Sequence, residues 1–193
     1  MYTHAHLRYA EAMARLGDAD AFFEALRRAH PIALSTVVPT SLPRQANCYY
    51  SSSDAVVADR YEAAERYAEV RAGRVPFEGG WRVYSSGAGI AVRVIYECFL
   101  GLRRGRSVLG IDPVIPKALD GLRADMVLGD RRVGVRYRIA AAGHGPTAVT
   151  LNGHALPTTR ATNPYRTAGV SVPMAAVRER LRDGDNELVI ELG

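Results

Sequence analysis

Ser85 and Ser86 sit between two glycine clusters, Gly79-Gly80 before them and Gly87-Ala88-Gly89 after them. An apolar run over residues 90–100 follows at helical spacing. The pattern predicts a hydroxyl-rich, glycine-rich turn that opens onto a buried helix. A helix start presents backbone N–H groups without intrahelical partners and the positive end of the helix dipole. Small residues let an anion approach that backbone, and the serine hydroxyls add donors. Such a turn can hold a phosphate or the oxygens of a sugar. Serine at that position also serves as an ordinary helix cap.

A second stretch, Gln45-Ala46-Asn47-Cys48-Tyr49-Tyr50-Ser51-Ser52-Ser53-Asp54, lies in a proline-punctuated region, residues 31–58, that reads as irregular. A loop of that length in a compact domain is either functional or disordered. The adjacent Tyr49 and Tyr50 argue against disorder. Sugars suit a wet, aromatic, hydroxyl-rich loop, because their C–H faces stack on rings while their hydroxyls need donors and acceptors. The alternative is a loop that anchors its own tyrosines in the core. Trp81, the single tryptophan, joins Tyr49 and Tyr50 as a candidate sugar-binding residue.

The totals exclude several classes. At 48% hydrophobic and 23% charged residues, the 193-residue chain is globular, not disordered, and fits one ordinary domain or two small ones. The net charge is +5, yet the arginines are dispersed and no basic stripe alternates with aromatics, so the charge gives no support to nucleic-acid binding. Cys48 and Cys98 form no CxxC pair, so neither a zinc site nor another metal centre is expected. Cys98, inside the apolar run, reads as a buried thiol. No apolar run reaches spanning length and Met1-Tyr2-Thr3-His4 lacks signal-peptide form, so a soluble, cytoplasmic chain without membrane contact is expected.

The elements that must position these residues follow from period. Residues 3–16 read as a helix with Leu7, Ala10, Met13 and Ala14 on one face. Asp18 caps a second helix over residues 19–30, whose Phe22, Phe23 and Leu26 would pin it to the first as a hairpin. Residues 60–71 read as an exposed, charged helix, and residues 72–80 as a linker. From about residue 107 the period becomes two. Strands are expected over residues 107–113, 122–128, 133–140, 147–151, 169–173 and 186–192, with an Asn152-Gly153 hairpin turn and a short helix over 174–181. The chain therefore divides into helices over residues 1–106 and a mostly antiparallel β-sandwich over residues 107–193. The helices are too few to close a ring by themselves, so their apolar stripes are expected to seek cover by further chain or by self-association.

The words Tyr2-Thr3-His4-Ala5, then Gly79-Gly80-Trp81 through Gly89, then Leu100-Gly101-Leu102-Arg103 and Ile111-Asp112-Pro113-Val114-Ile115-Pro116 stand in an order and spacing that resemble the C-terminal part of the glycoside phosphorylases of glycoside hydrolase family 94. The wording around residues 44–54 and 84–87 is most similar to the 1,2-β-oligoglucan phosphorylase and cyclic β-1,2-glucan synthase branch.

The resemblance implies an α+β chain, the last helices of an (α/α)6 barrel followed by a C-terminal antiparallel β-sandwich. It implies an inverting reaction in which a carboxylic acid protonates the glycosidic oxygen while inorganic phosphate attacks the anomeric carbon from the opposite face. The partners are then a β-glucan oligosaccharide and phosphate as co-substrate, with no cofactor. Carried over, His4 matches the family's phosphate-contacting histidine and Ser85 a threonine whose hydroxyl contacts phosphate. Ser86 falls where many members have glycine with a backbone N–H contact; the departure keeps the N–H and adds bulk. No residue of this chain matches the family's general-acid aspartate or a phosphate-contacting arginine, which in the family lie upstream. Asp54 and Asp59 match no catalytic motif. The chain is therefore expected to contribute part of a site without being active alone. The competing expectations are a non-catalytic carbohydrate-binding or structural module, and one half of a split enzyme completed by an upstream barrel segment.

Overall fold

The computed structural model describes residues 3–30, 36, 39–43, 54–79 and 85–193. Its contacts gather into two compact units, Met1–Ala10 with Glu24–Arg93 and Glu11–Phe23 with Val94–Gly193.

Helix α1 runs Thr3–Leu16 and α2 runs Ala19–Ala29, as the sequence period requires. Leu7, Ala10 and Ala14 are buried and Met13 is half-buried, so the α1 stripe is covered rather than open. The exposed apolar side chains on α1 are instead Tyr9 and Leu16. Gly17 takes a positive φ of 86° at the turn, and Asp18 caps α2 by accepting from the Ala21 N–H at 2.9 Å.

In the first unit, His6 Nε2 bonds the Ala25 carbonyl at 2.7 Å. The proline-rich region and the linker are not wholly irregular. Three short strands, β1 (Ser41–Pro43), β2 (Asp54–Ala55) and β3 (Phe77–Gly79), form a sheet with β3 in the centre, parallel to β1 and antiparallel to β2. Strands of two or three residues are too short to show an alternation, which is why the sequence hides them. The charged helix is two pieces, α3 (Arg60–Glu65) and α4 (Tyr67–Arg71), divided at Arg66. Arg66 binds Glu62 at 2.8 Å and Glu69 at 2.9 Å along the exposed side.

The apolar helix starts with a wide, π-helical turn, Ser85–Gly89, continues as α5 (Ile90–Val94) and ends in a second π-helical turn, Ile95–Phe99. Ala91, Val94 and Cys98 are buried, while Val92 and Tyr96 face outward. In the second unit, Phe22 and Phe23 meet Phe99, with the Phe23 ring stacked on it at 5.6 Å between centroids. These phenylalanines therefore contact the end of the apolar helix, a partner 76 or 77 positions away that helical period cannot name.

Nine strands follow: β4 (Leu102–Arg104), β5 (Val108–Ile111), β6 (Arg123–Leu128), β7 (Arg131–Ile139), β8 (Pro146–Leu151), β9 (His154–Ala155), β10 (Thr159–Arg160), β11 (Val170–Pro173) and β12 (Glu187–Leu192), with α6 (Met174–Arg180) before the last. Their orders are β10-β11-β5-β4 and β6-β7-β12-β8-β9. All pairs are antiparallel except β12 with β7, so the larger sheet is mixed. Val133, Val135, Tyr137 and Ile139 of β7 all point inward, as their alternation predicts. They share one apolar core with Leu109 and Ile111 of β5 and Val170 and Val172 of β11, the packing of two sheets face to face. The Asn152-Gly153 turn has φ of 54° and 80°, the positive pair that suits the twist of a hairpin. Strands β4 and β10, two or three residues long, were not legible as strands.

Two polar side chains are built into this core. Tyr137 is fully buried, and its hydroxyl donates to the Leu100 carbonyl at 2.7 Å; burial pushes its pKa up. Asn186 donates to the carbonyls of Arg132, Arg182 and Gly184 and accepts from the Arg182 N–H and the Asn152 amide. It closes the turn into β12 by bonding three separate segments, at Arg132, Asn152 and residues 182–184.

Candidate functional site

Two helix starts in the first unit carry the residues the sequence singles out. His4 lies in the first turn of α1, half-buried, and that turn contains no acidic side chain. Ser85 and Ser86 do not precede their helix as a separate loop; they occupy its first turn, which is wide and also free of acidic residues, and Gly87 beside them is buried. Backbone N–H groups at a helix start with no carboxylate nearby in sequence favour an anion. The candidate sugar residues Tyr49, Tyr50 and Trp81 lie outside the described residues.

Asp54 and Asp59, the aspartates that match no catalytic motif, have structural placements. Asp59 caps α3, with Oδ1 accepting from the N–H groups of Tyr61 at 2.9 Å and Glu62 at 3.0 Å. Asp54 is in β2, with its backbone paired to Glu78 of β3. Among the described residues no group of three His, Cys, Asp or Glu could hold a metal ion.

The motif words at residues 100–116 build a joint in the second unit. Gly101 has φ of 63°, and a Cβ there would stand 2.0 Å from the Pro113 nitrogen. Only glycine lets the backbone of Asp112-Pro113 come that close. The Asp112 N–H donates to Gly101 O at 2.7 Å and the Val114 N–H to Cys98 O at 2.9 Å. The Asp112 carboxylate then receives both ends of the Arg166 guanidinium, and Arg166 Nε reaches the Ala14 carbonyl at 3.0 Å. Asp112 was visible as part of a word. Arg166 was not, because nothing in a single sequence links two positions 54 apart.

Residues 101–190, the sandwich from its first strand into its last, match the model of the glycoside phosphorylase C-terminal domain. Over 172 residues, 89% of this chain, it is 38% identical to a 1,2-β-oligoglucan phosphorylase of Listeria innocua serovar 6a. Residues 101–190 thus belong to the C-terminal domain family of the glycoside phosphorylases. The chain spans about 15% of that relative's length.

Gly101, Asp112 and Arg166 fall inside the matched glycoside phosphorylase C-terminal domain. His4, Ser85 and Ser86 precede it. Among the described residues no helix is long and apolar enough to cross a membrane.

Proposed function

We propose that this chain forms the C-terminal part of an inverting glycoside phosphorylase acting on β-glucans, and that His4, Ser85 and Ser86 hold inorganic phosphate. The observation that carries the reading is the 38% identity to a 1,2-β-oligoglucan phosphorylase across 89% of the chain, a span that includes more than the sandwich. The two helix starts without acidic side chains support it. On this reading α1, α2 and the Ser85 helix are the last helices of an (α/α)6 barrel, and the two sheets are the domain that follows it.

In the reaction, a phosphate oxygen bonds to the anomeric carbon while the bond from that carbon to the glycosidic oxygen breaks. A carboxylic acid gives its proton to the departing oxygen. Phosphate is already an anion, so a second carboxylate base is unnecessary. The protein's work is to hold phosphate against the sugar through charge-assisted and backbone donors. Tyr49, Tyr50 and Trp81 would supply stacking faces to the glucan. The capping role of Asp59 supports an acid supplied by a barrel segment other than these residues.

The chain alone is then inactive. Incubation with β-1,2-gluco-oligosaccharide and phosphate should release no glucose 1-phosphate. Release of product would place a working acid within these 193 residues and overturn that part of the reading.

A further inference from the structure

The outer edge of the sandwich carries a groove that the phosphate reading does not use. β4 and β6 are the edge strands of their sheets. They are tied by Arg104, whose Nη1 donates to the Val127 carbonyl at 3.1 Å. Beside this tie lies a cavity of about 300 Å³ walled by Tyr96, Leu100, Leu102 and Arg104 on one side and by residues 124–127 of β6 on the other. Tyr96 comes from the last turn of the apolar helix and is 54% exposed.

The same four residues of β6 also border a shallower trough of about 660 Å³ that runs across the outer face of the larger sheet towards Glu187. Gly134 lies opposite Asp125 of β6 and opposite Glu187 of β12. Lacking a side chain, it lowers the floor between the two carboxylates. An added Cβ would meet the Asn186 carbonyl oxygen at 3.7 Å and Asp125 Oδ1 at 3.8 Å, both ordinary contacts, so alanine fits there. From β6 to β12 the trough crosses about 10 Å at ordinary strand spacing, which exceeds one hexose ring.

The lining chemistry selects the ligand. Arg123, Arg132 and Arg136 line the trough together with Asp125, Asp185 and Glu187, so its formal charges balance, and Arg136 pairs with Glu187 at 2.8 Å. A balanced wall gives no field to attract a polyanion. It presents both guanidinium donors and carboxylate acceptors, next to one exposed ring. That combination matches a neutral polyhydroxylated chain, which stacks a C–H face on an aromatic and bonds hydroxyls to carboxylate and guanidinium.

We infer that the groove from Tyr96 across β6 to Glu187 is a second glucan-binding surface, distinct from the phosphate site, that holds a short neutral gluco-oligosaccharide. Tyr96 is the stacking ring, and Asp125 and Arg104 bond the hydroxyls of the sugar seated on it. The choice of glucan as ligand rests on the proposed function; the location does not.

The test is an amide-resolved NMR titration of the whole chain with a β-1,2-linked gluco-oligosaccharide in phosphate-free buffer. Shifts are expected at residues 124–127 and 134, with affinity weakened about tenfold, the loss of one good contact, in Tyr96→Ala and in the isosteric Asp125→Asn. Both side chains are exposed, so both variants should fold. No shift at β6, or equal affinity in both variants, would overturn the proposal. A sulfated glucan that binds there more tightly than the neutral one would also overturn it. Phosphate binding is read elsewhere, at residues 87–89, so failure of the groove and failure of the phosphate site are separate results.

Discussion

Arg166 grips Asp112 in a two-pronged pair, Nη1 to Oδ1 at 2.8 Å and Nη2 to Oδ2 at 3.1 Å, with the arginine side chain 5% exposed. The same guanidinium bonds the Ala14 carbonyl, so one side chain links the Asp112 turn to the end of α1. Removing one partner of a buried pair leaves the other charged and unmatched. Asp112→Ala should therefore destabilise the chain by about 3 kcal/mol, read by urea denaturation. A loss below about 1 kcal/mol, the range of an exposed pair, would show that the joint is not closed as described.

His144 sits near this pair with Nδ1 buried and without a hydrogen-bond partner. Burial, and then the nearby Arg166 charge, hold its pKa below the usual histidine value. The unfolded chain consequently binds a proton more readily than the folded one. Stability is fully present above the unfolded histidine pKa of about 6.5 and falls as pH drops from there towards the depressed folded value. Melting temperature should decline between pH 7 and pH 5, and His144→Gln should remove that part of the slope. An unchanged slope in the variant would assign the decline to other groups.

Gly101 and Gly153 both take positive φ but differ in surroundings. A Cβ at Gly101 would meet the Pro113 backbone at 2.0 Å, whereas nothing lies within 4 Å of one at Gly153. Gly153→Ala should cost only the left-handed backbone strain, about 1 kcal/mol. Gly101→Ala must also displace the Asp112-Pro113 turn and should be several-fold worse, to the point of poor recovery of folded protein. Similar melting temperatures for the two variants would contradict the close approach.

The sandwich was legible where strands were long enough to alternate. Val133, Val135, Tyr137 and Ile139 announced β7, and Asn152-Gly153 announced the β8–β9 hairpin. The parallel pairing of β12 with β7 was not legible, because register and direction are set by packing across 50 residues of chain and not by local pattern. β1, β2 and β3 were hidden by their length. Asp112 and Gly101 were readable as words but not as a joint, since Arg166 is distant in sequence. Ser85 and Ser86 were placed correctly beside a helix start, but the wide first turn that contains them has no local signal that distinguishes it from an α-turn. Tyr49, Tyr50 and Trp81 lie outside the described residues.

The central claim is that the first turns of α1 and of the Ser85 helix bind phosphate. The most direct measurement is titration of inorganic phosphate into the chain, followed at the backbone amides of Gly87, Ala88 and Gly89, in the wild type and in His4→Ala. The account predicts saturable shifts at these amides that weaken about tenfold, a loss of ~1.4 kcal/mol, when the imidazole is removed. Amides that do not respond, or that respond identically in His4→Ala, would contradict it.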